Sequence, residues 1–115
     1  MKLERSITTE LDERTIAERL TAYFARAGYQ QSISQPHLLA FRRGKFLSLT
    51  AKGCPVHAVI QINAGPDRQT LVRVTLEIDT TGQLVLKRER EYWREQLNEI
   101  EMAMLSGQGT SRAPF

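Results

Sequence analysis

The chain contains a single cysteine, Cys54, and two histidines, His37 and His57, among 115 residues. One cysteine excludes an internal disulfide and any all-cysteine metal site, which agrees with a reducing compartment. Zinc asks for four ligands, so these three side chains cannot hold it without help from a carboxylate. Cys54 beside His57 therefore reads as a turn cysteine next to a surface histidine. No apolar run approaches the roughly 18 to 20 residues of a spanning helix, and Met1, Lys2, Leu3, Glu4, Arg5 lacks the apolar core of a signal peptide. The expected address is cytoplasmic, with no membrane span. The sequence also has no glycine-rich phosphate loop, no HExxH and no GxSxG, and no aromatic pair of the kind an RNA-recognition motif displays on its sheet. Nothing in it calls for a catalytic residue, a metal or a cofactor, and a non-enzymatic role is expected.

What is present is ordinary globular composition, with 41% hydrophobic and 25% charged residues. A chain of this length buries about two thirds of its unfolded surface and is too short for two cores. A single α+β domain over residues 1–106 is expected, followed by a flexible C-terminal tail, 107–115, that carries Gly107, Gly109 and Pro114.

The net charge of +3 conceals a segregation. Between Glu18 and Asp67 there is no acidic residue, while Arg19, Arg26, Arg42, Arg43, Lys45 and Lys52 fall in that stretch. Folding either brings carboxylates from the flanks to these cations, or leaves Arg42, Arg43 and Lys45 clustered at one turn where they attract an anion.

Periodicity divides the chain. Leu3, Arg5, Ile7 and Thr9 alternate, a weak strand signal over residues 3–9. Ile16, Leu20, Tyr23, Phe24 and Ala27 then recur at spacings of three and four and lie on one helical stripe. Asp12 suits its N-cap, Glu13 the positive end of its dipole, and Gly28 the left-handed stop over which Tyr29 folds back. The segment 29–34 is an edge strand or irregular, broken near Gln35 and Pro36. Leu38 to Arg42 resumes as strand, Arg43 and Gly44 suit a tight turn, and Leu47, Leu49 and Ala51 alternate with Phe46, Ser48 and Thr50. The strongest alternation is in Val56, Ala58, Ile60, Ile62 and in Val72, Val74, Leu76, Ile78, joined by the turn at Ala64 to Asp67. These two segments form an antiparallel hairpin with one wet face. Gly82 either turns the chain into a short run from Leu84 to Leu86 or precedes a helix, so residues 84–87 stay open between strand and helix. From about Lys87 the stripe Trp93, Leu97, Ile100, Met104 marks a helix that packs on the sheet.

The sum predicts an α+β two-layer sandwich, an antiparallel meander of three to five strands with two helices packed on one face. Tyr23, Phe24, Tyr29, Phe41 and Trp93 take core positions. Phe46, Val59 and Leu71 fall on the open face and are interface candidates. Glu77 and Asp79, two apart on a strand, read as solvated carboxylates that pair across strands. In the last helix Lys87, Arg88, Arg90 and Arg94 precede Glu95, Glu99 and Glu101, an order the macrodipole disfavours; either the helix begins earlier, or the early cations meet Glu77 and Asp79 or join the hairpin arginines in a basic patch.

Gly28 and Tyr29, the turn Phe41, Arg42, Arg43, Gly44, the run Thr81, Gly82, Gln83 and the helix start Glu91, Tyr92, Trp93 resemble a group of small uncharacterised proteins of photosynthetic bacteria. That group has no established activity, so the resemblance implies no site residue. The order of elements is also similar to a shortened helix-grip domain, in which a long C-terminal helix packs across an antiparallel sheet and ligands bind beneath it. Relative to that pattern the chain is short of strands for a wrapped sheet.

The leading functional reading is an interaction module that assembles with itself as a homodimer, or with another protein, through the open face or an edge strand. The alternatives are binding of nucleic acid or a phosphorylated ligand through Arg42, Arg43, Lys45 and Lys52, and small-molecule binding between the C-terminal helix and the sheet.

Overall fold

The computed structural model describes residues 1–44, 55–79 and 87–106. Seven elements follow in chain order: β1 (Lys2–Thr9), α1 (Glu13–Arg26), β2 (Gln30–Gln35), β3 (Leu38–Arg43), β4 (Val56–Ala64), β5 (Thr70–Ile78) and α2 (Lys87–Ser106). The expected strand at Phe46 to Ala51, the turn at Cys54, the alternatives at residues 84–86 and the tail 107–115 lie outside the described residues.

The sheet has the order β1-β5-β4-β3-β2, and every neighbouring pair is antiparallel. Strands β2 to β5 run as a meander. The first strand joins it beside the last, with Leu3 opposite Leu76 and Ile7 opposite Val72. That pairing explains the strand at the N-terminus, whose alternation alone was too short to require one. Thr9 ends β1, and the Thr9 Oγ1 accepts a hydrogen bond from the Leu11 amide at 3.2 Å.

Local chemistry sets the bounds of α1. Asp12 adopts extended backbone and its carboxylate accepts the Thr15 amide at 2.7 Å, which satisfies one of the donors a helix start leaves free. At the other end the Tyr29 amide donates to the Phe24 carbonyl and the Gly28 amide to the Ala25 carbonyl, the double bond of a Schellman cap. Gly28 takes the positive φ of 88° that this cap needs. Tyr29 then meets the Phe24 ring edge-on at 4.8 Å, so the capping turn is also a core contact.

Strand alternation separates two faces. Val56, Ala58, Ile60 and Ile62 of β4 and Val72, Val74, Leu76 and Ile78 of β5 are buried towards the helices. Each such side chain contributes about 1.5–3 kcal/mol of burial when fully removed from water. Both helices cover this inner face. Phe24 of α1 stacks on Phe41 of β3 at 4.5 Å, and Trp93, Leu97, Ile100, Ala103 and Met104 of α2 complete the same core. The five aromatics assigned to core positions are all buried.

On either side of its core stripe α2 is tied to a different neighbour. Arg5 of β1 donates to the Asn98 side chain at 2.6 Å and meets Glu101 at 3.1 Å. On the opposite flank the Tyr23 hydroxyl of α1 donates to Glu99 at 3.3 Å. These partners account for two of the carboxylates that the helix carries in its second half.

Candidate functional site

In β3 the two arginines of the proposed basic turn diverge. Successive strand residues point to opposite faces. Arg42 is exposed on the outer face, in a row that runs Gln30, Arg42, His57, Glu77, Lys2 across all five strands. Arg43 turns inward beneath the helices. The two side chains therefore leave the strand on opposite faces, and both border a hollow at the end of the sheet. Lys45, Lys52 and Phe46 lie outside the described residues. Val59 and Leu71 do share the outer face, Val59 half-buried and Leu71 exposed. Val59 pairs with Thr75, and Leu71 stands four residues further along β5, about 13 Å away.

Arg43 is held from behind on two sides. Its Nη1 donates to the Ala27 carbonyl at 2.8 Å, in the capping turn of α1, and its guanidinium lies over the Tyr29 ring at 4.6 Å. Its Nε is buried and has no hydrogen-bond partner among the described residues. A cleft of about 650 Å³ opens beside it, lined among the described residues by Arg43 and by Tyr92, Gln96 and Glu99 of α2. The helix residues are spaced four and three apart, so they form one strip along the flank of the buried stripe Trp93, Leu97, Ile100. Trp93 itself is fully buried and meets Tyr92 edge-on at 4.9 Å, which makes it the floor behind the strip rather than part of the cleft wall.

Burial pushes the Tyr23 phenol up, with the Glu99 carboxylate adding to the shift. Burial raises Tyr29 as well, against the pull of the Arg43 charge. Both phenols stay protonated at neutral pH, and that of Tyr23 donates to Glu99.

A larger and more open hollow of about 1120 Å³ lies at the end of the sheet where β3 leaves and β4 begins, bordered by Arg42, Arg43, His57 and Glu77 among others. It is continuous with the exposed outer row. Among the described residues no group of three or more His, Cys, Asp or Glu is placed to hold a metal ion. Among the described residues no helix is long and apolar enough to cross a membrane.

Among solved structures, the fold is similar to that in the crystal structure of Ara h 8.0201. The two superpose with a TM-score of 0.66 over 90% of this chain and 94% of the other, at 11% sequence identity. The chain shares the fold of Ara h 8.0201. A second solved structure, the di-domain ARO/CYC BexL from the BE-7585A biosynthetic pathway, matches 98% of this chain and 51% of its own length with a TM-score of 0.45 and 13% identity. No family model and no curated protein matches the chain.

The match to Ara h 8.0201 overturns the resemblance to small uncharacterised proteins of photosynthetic bacteria. Of the residues that carried that resemblance, Gly28 and Tyr29 cap a helix, Phe41 stacks in the core and Trp93 fills it, while Thr81, Gly82 and Gln83 lie outside the described residues. Among the described residues the sheet has five strands.

Tyr92, Gln96 and Glu99 were not singled out from the sequence as site residues. The available signal was the strip they form at helical spacing next to an apolar stripe, with two of three side chains polar.

Proposed function

We propose that this protein binds a small molecule in the cleft between the α1–β3 corner and α2. The observation that carries the reading is a cleft of about 650 Å³ walled by Tyr92, Gln96 and Glu99 of α2 and by Arg43, a guanidinium fixed in place by the Ala27 carbonyl and the Tyr29 ring. The cleft volume lies within the range of about 300–1,000 Å³ common to small-molecule sites. An arrangement of sheet and long helix typical of small-molecule-binding PR-10-like folds agrees with this reading, although fold alone does not assign a ligand.

The test is a titration with 2-naphthol, a neutral aromatic alcohol, followed by amide nitrogen–proton NMR. The expected result is saturable binding near one equivalent, with the largest shifts at Arg43, Tyr92, Gln96 and Glu99, abolished by Gln96→Trp. Shifts that stay linear with concentration or scatter over the surface defeat the proposal.

Self-association is a second reading, favoured by exposed Leu71 and half-buried Val59 on an outer face that neither helix covers. Light scattering at high micromolar concentration decides it. A dimer dissociated by Leu71→Lys supports this reading, and a monomer removes it.

A further inference from the structure

Among the described residues the sheet ends in two unlike edges, β1 and β2. β1 carries Lys2, Glu4 and Arg5, with the Lys2 ammonium and the Glu4 carboxylate 3.9 Å apart, and charge along an edge discourages a second chain from pairing there. β2 carries no charge over Gln30–Gln35, and all its residues are exposed except Ile33, which is half-buried. An uncharged, uncovered edge offers its free amides and carbonyls to a further strand.

The same edge is symmetric in sequence. Gln31, Ser32, Ile33, Ser34, Gln35 reads alike in both directions about Ile33. Successive pairs of an antiparallel ladder alternate in type, so a two-fold axis between two copies of one strand must pass a residue paired with itself. With the axis at Ile33, Ile33 meets Ile33, Ser32 meets Ser34 and Gln31 meets Gln35, so apolar, hydroxyl and amide groups each face their own kind. Moving the axis to Ser34 sets Ser32 opposite Pro36, which has no amide, and moving it to Ser32 sets Ile33 opposite Gln31. Leu39 and Phe41 point into the core, so Ala40 and the residues opposite it, Ile33 and Val59, lie on the outer face. The axis at Ile33 therefore joins this apolar row to its copy. Ser32 is an extra residue against β3, and the Gln31 side-chain amide donates to the Ile33 carbonyl at 3.2 Å. That exposed local bond is what a second strand displaces.

We infer that β2 pairs with β2 of a second copy of this chain, antiparallel about a two-fold axis at Ile33, joining two five-stranded sheets edge to edge. The contact is separate from an outer-face association through Leu71. A pair of such short segments buries less than the roughly 1,200 Å² at which stable complexes begin, so half association is expected at about 100 μM.

The experiment is sedimentation equilibrium between about 10 μM and 1 mM, with amide NMR over the same range. The unaltered protein should show a monomer–dimer equilibrium, its concentration-dependent shifts largest at Gln31–Gln35. Ile33→Lys and Ile33→Glu each set like charges face to face across the axis and should weaken the dimer about tenfold or more. An equimolar mixture of the two should dimerise again, because the charges then oppose. Retained dispersion of the NMR spectrum shows that both variants fold, and the shifts of the unaltered protein decide the matter if they do not. A monomer throughout the range, shifts largest elsewhere, or a mixture no tighter than its parts overturns the inference. A dimer dissociated by Leu71→Lys and not by Ile33→Lys also overturns it, and leaves the outer-face association standing.

Discussion

Arg19 of α1 reaches the last turn of α2 and donates to the carbonyl oxygens of Met104 and Leu105 at 3.0 and 2.9 Å. The last turn of α2 contains no basic residue of its own, so a cation from the neighbouring helix meets its negative end. This contact, with Arg5 on Glu101 and Tyr23 on Glu99, explains how α2 tolerates a charge order that its own dipole opposes. Arg19→Gln should cost about 1 kcal/mol, at the low end for a charged hydrogen bond because the site is partly exposed. For a chain of this size that is a fall of about 4–8 °C in Tm by calorimetry. An unchanged Tm would show that the last turn of α2 does not need the contact.

Much of the architecture is legible along the chain because its signals are local. The stripe from Ile16 to Phe24 and the alternations of β4 and β5 each state which face is apolar, and burial follows them. Asp12 and Gly28 are readable for the same reason, since caps act within one turn. The place of β1 is not local. Its partner is β5, some seventy residues away, and no feature of Lys2–Thr9 names that partner. The cleft is less legible still, because Arg43 and the strip Tyr92, Gln96, Glu99 meet only after both helices dock. Strand alternation does imply that Arg42 and Arg43 face opposite ways. Both nonetheless border the open hollow at the end of the sheet.

Alkaline pH should destabilise the protein through Tyr23 and Tyr29. The folded state holds both phenols protonated above the ordinary value of 10.0, Tyr23 by burial and the Glu99 charge, Tyr29 by burial. Once pH passes the unfolded value, the unfolded chain has lost protons that the folded chain retains, and stability falls with further increase. The stabilisation is complete below about pH 10 and disappears as pH rises through the folded values. Tyr23→Phe should flatten the decline in Tm between pH 9 and 11 without abolishing it, because Tyr29 remains. At pH 7 the same variant loses one hydrogen bond, about 1 kcal/mol. A decline as steep in the variant as in the parent would mean that Tyr23 is not responsible.

Acid should loosen the start of α1. Hydrogen bonds from Thr15, side chain and backbone, hold the Asp12 carboxyl below its ordinary value of 3.8. Between the folded and unfolded values the unfolded state binds more protons, so this contribution is complete above the unfolded value and is lost as pH falls through the folded one. Asp12→Asn keeps an acceptor at the cap and does not titrate. The two proteins should differ little in Tm at pH 5, and the parent should lose more than the variant between pH 4 and 2. Parallel curves would remove Asp12 as the cause.

Gly28→Ala separates backbone strain from crowding at the corner that presents Arg43. The added Cβ would stand 3.6 Å from the Arg43 Cδ, an ordinary contact, so space is not the obstacle. The φ of 88° is, because a left-handed conformation costs an alanine about 1–2 kcal/mol relative to glycine. Asparagine visits this region more readily, since its side chain bonds to the local backbone. The expected order of Tm is therefore Gly28, then Gly28→Asn, then Gly28→Ala, although asparagine is the larger side chain. Crowding against Arg43 would reverse the last two, and that reversal would show the corner to be tighter than the 3.6 Å separation implies. Because the Ala27 carbonyl that anchors Arg43 precedes Gly28 directly, a cap that shifts to relieve strain also moves the guanidinium. Gly28→Ala should then weaken 2-naphthol binding and lower Tm together, whereas Arg19→Gln, which acts at the other end of α2, should lower Tm and leave that binding intact.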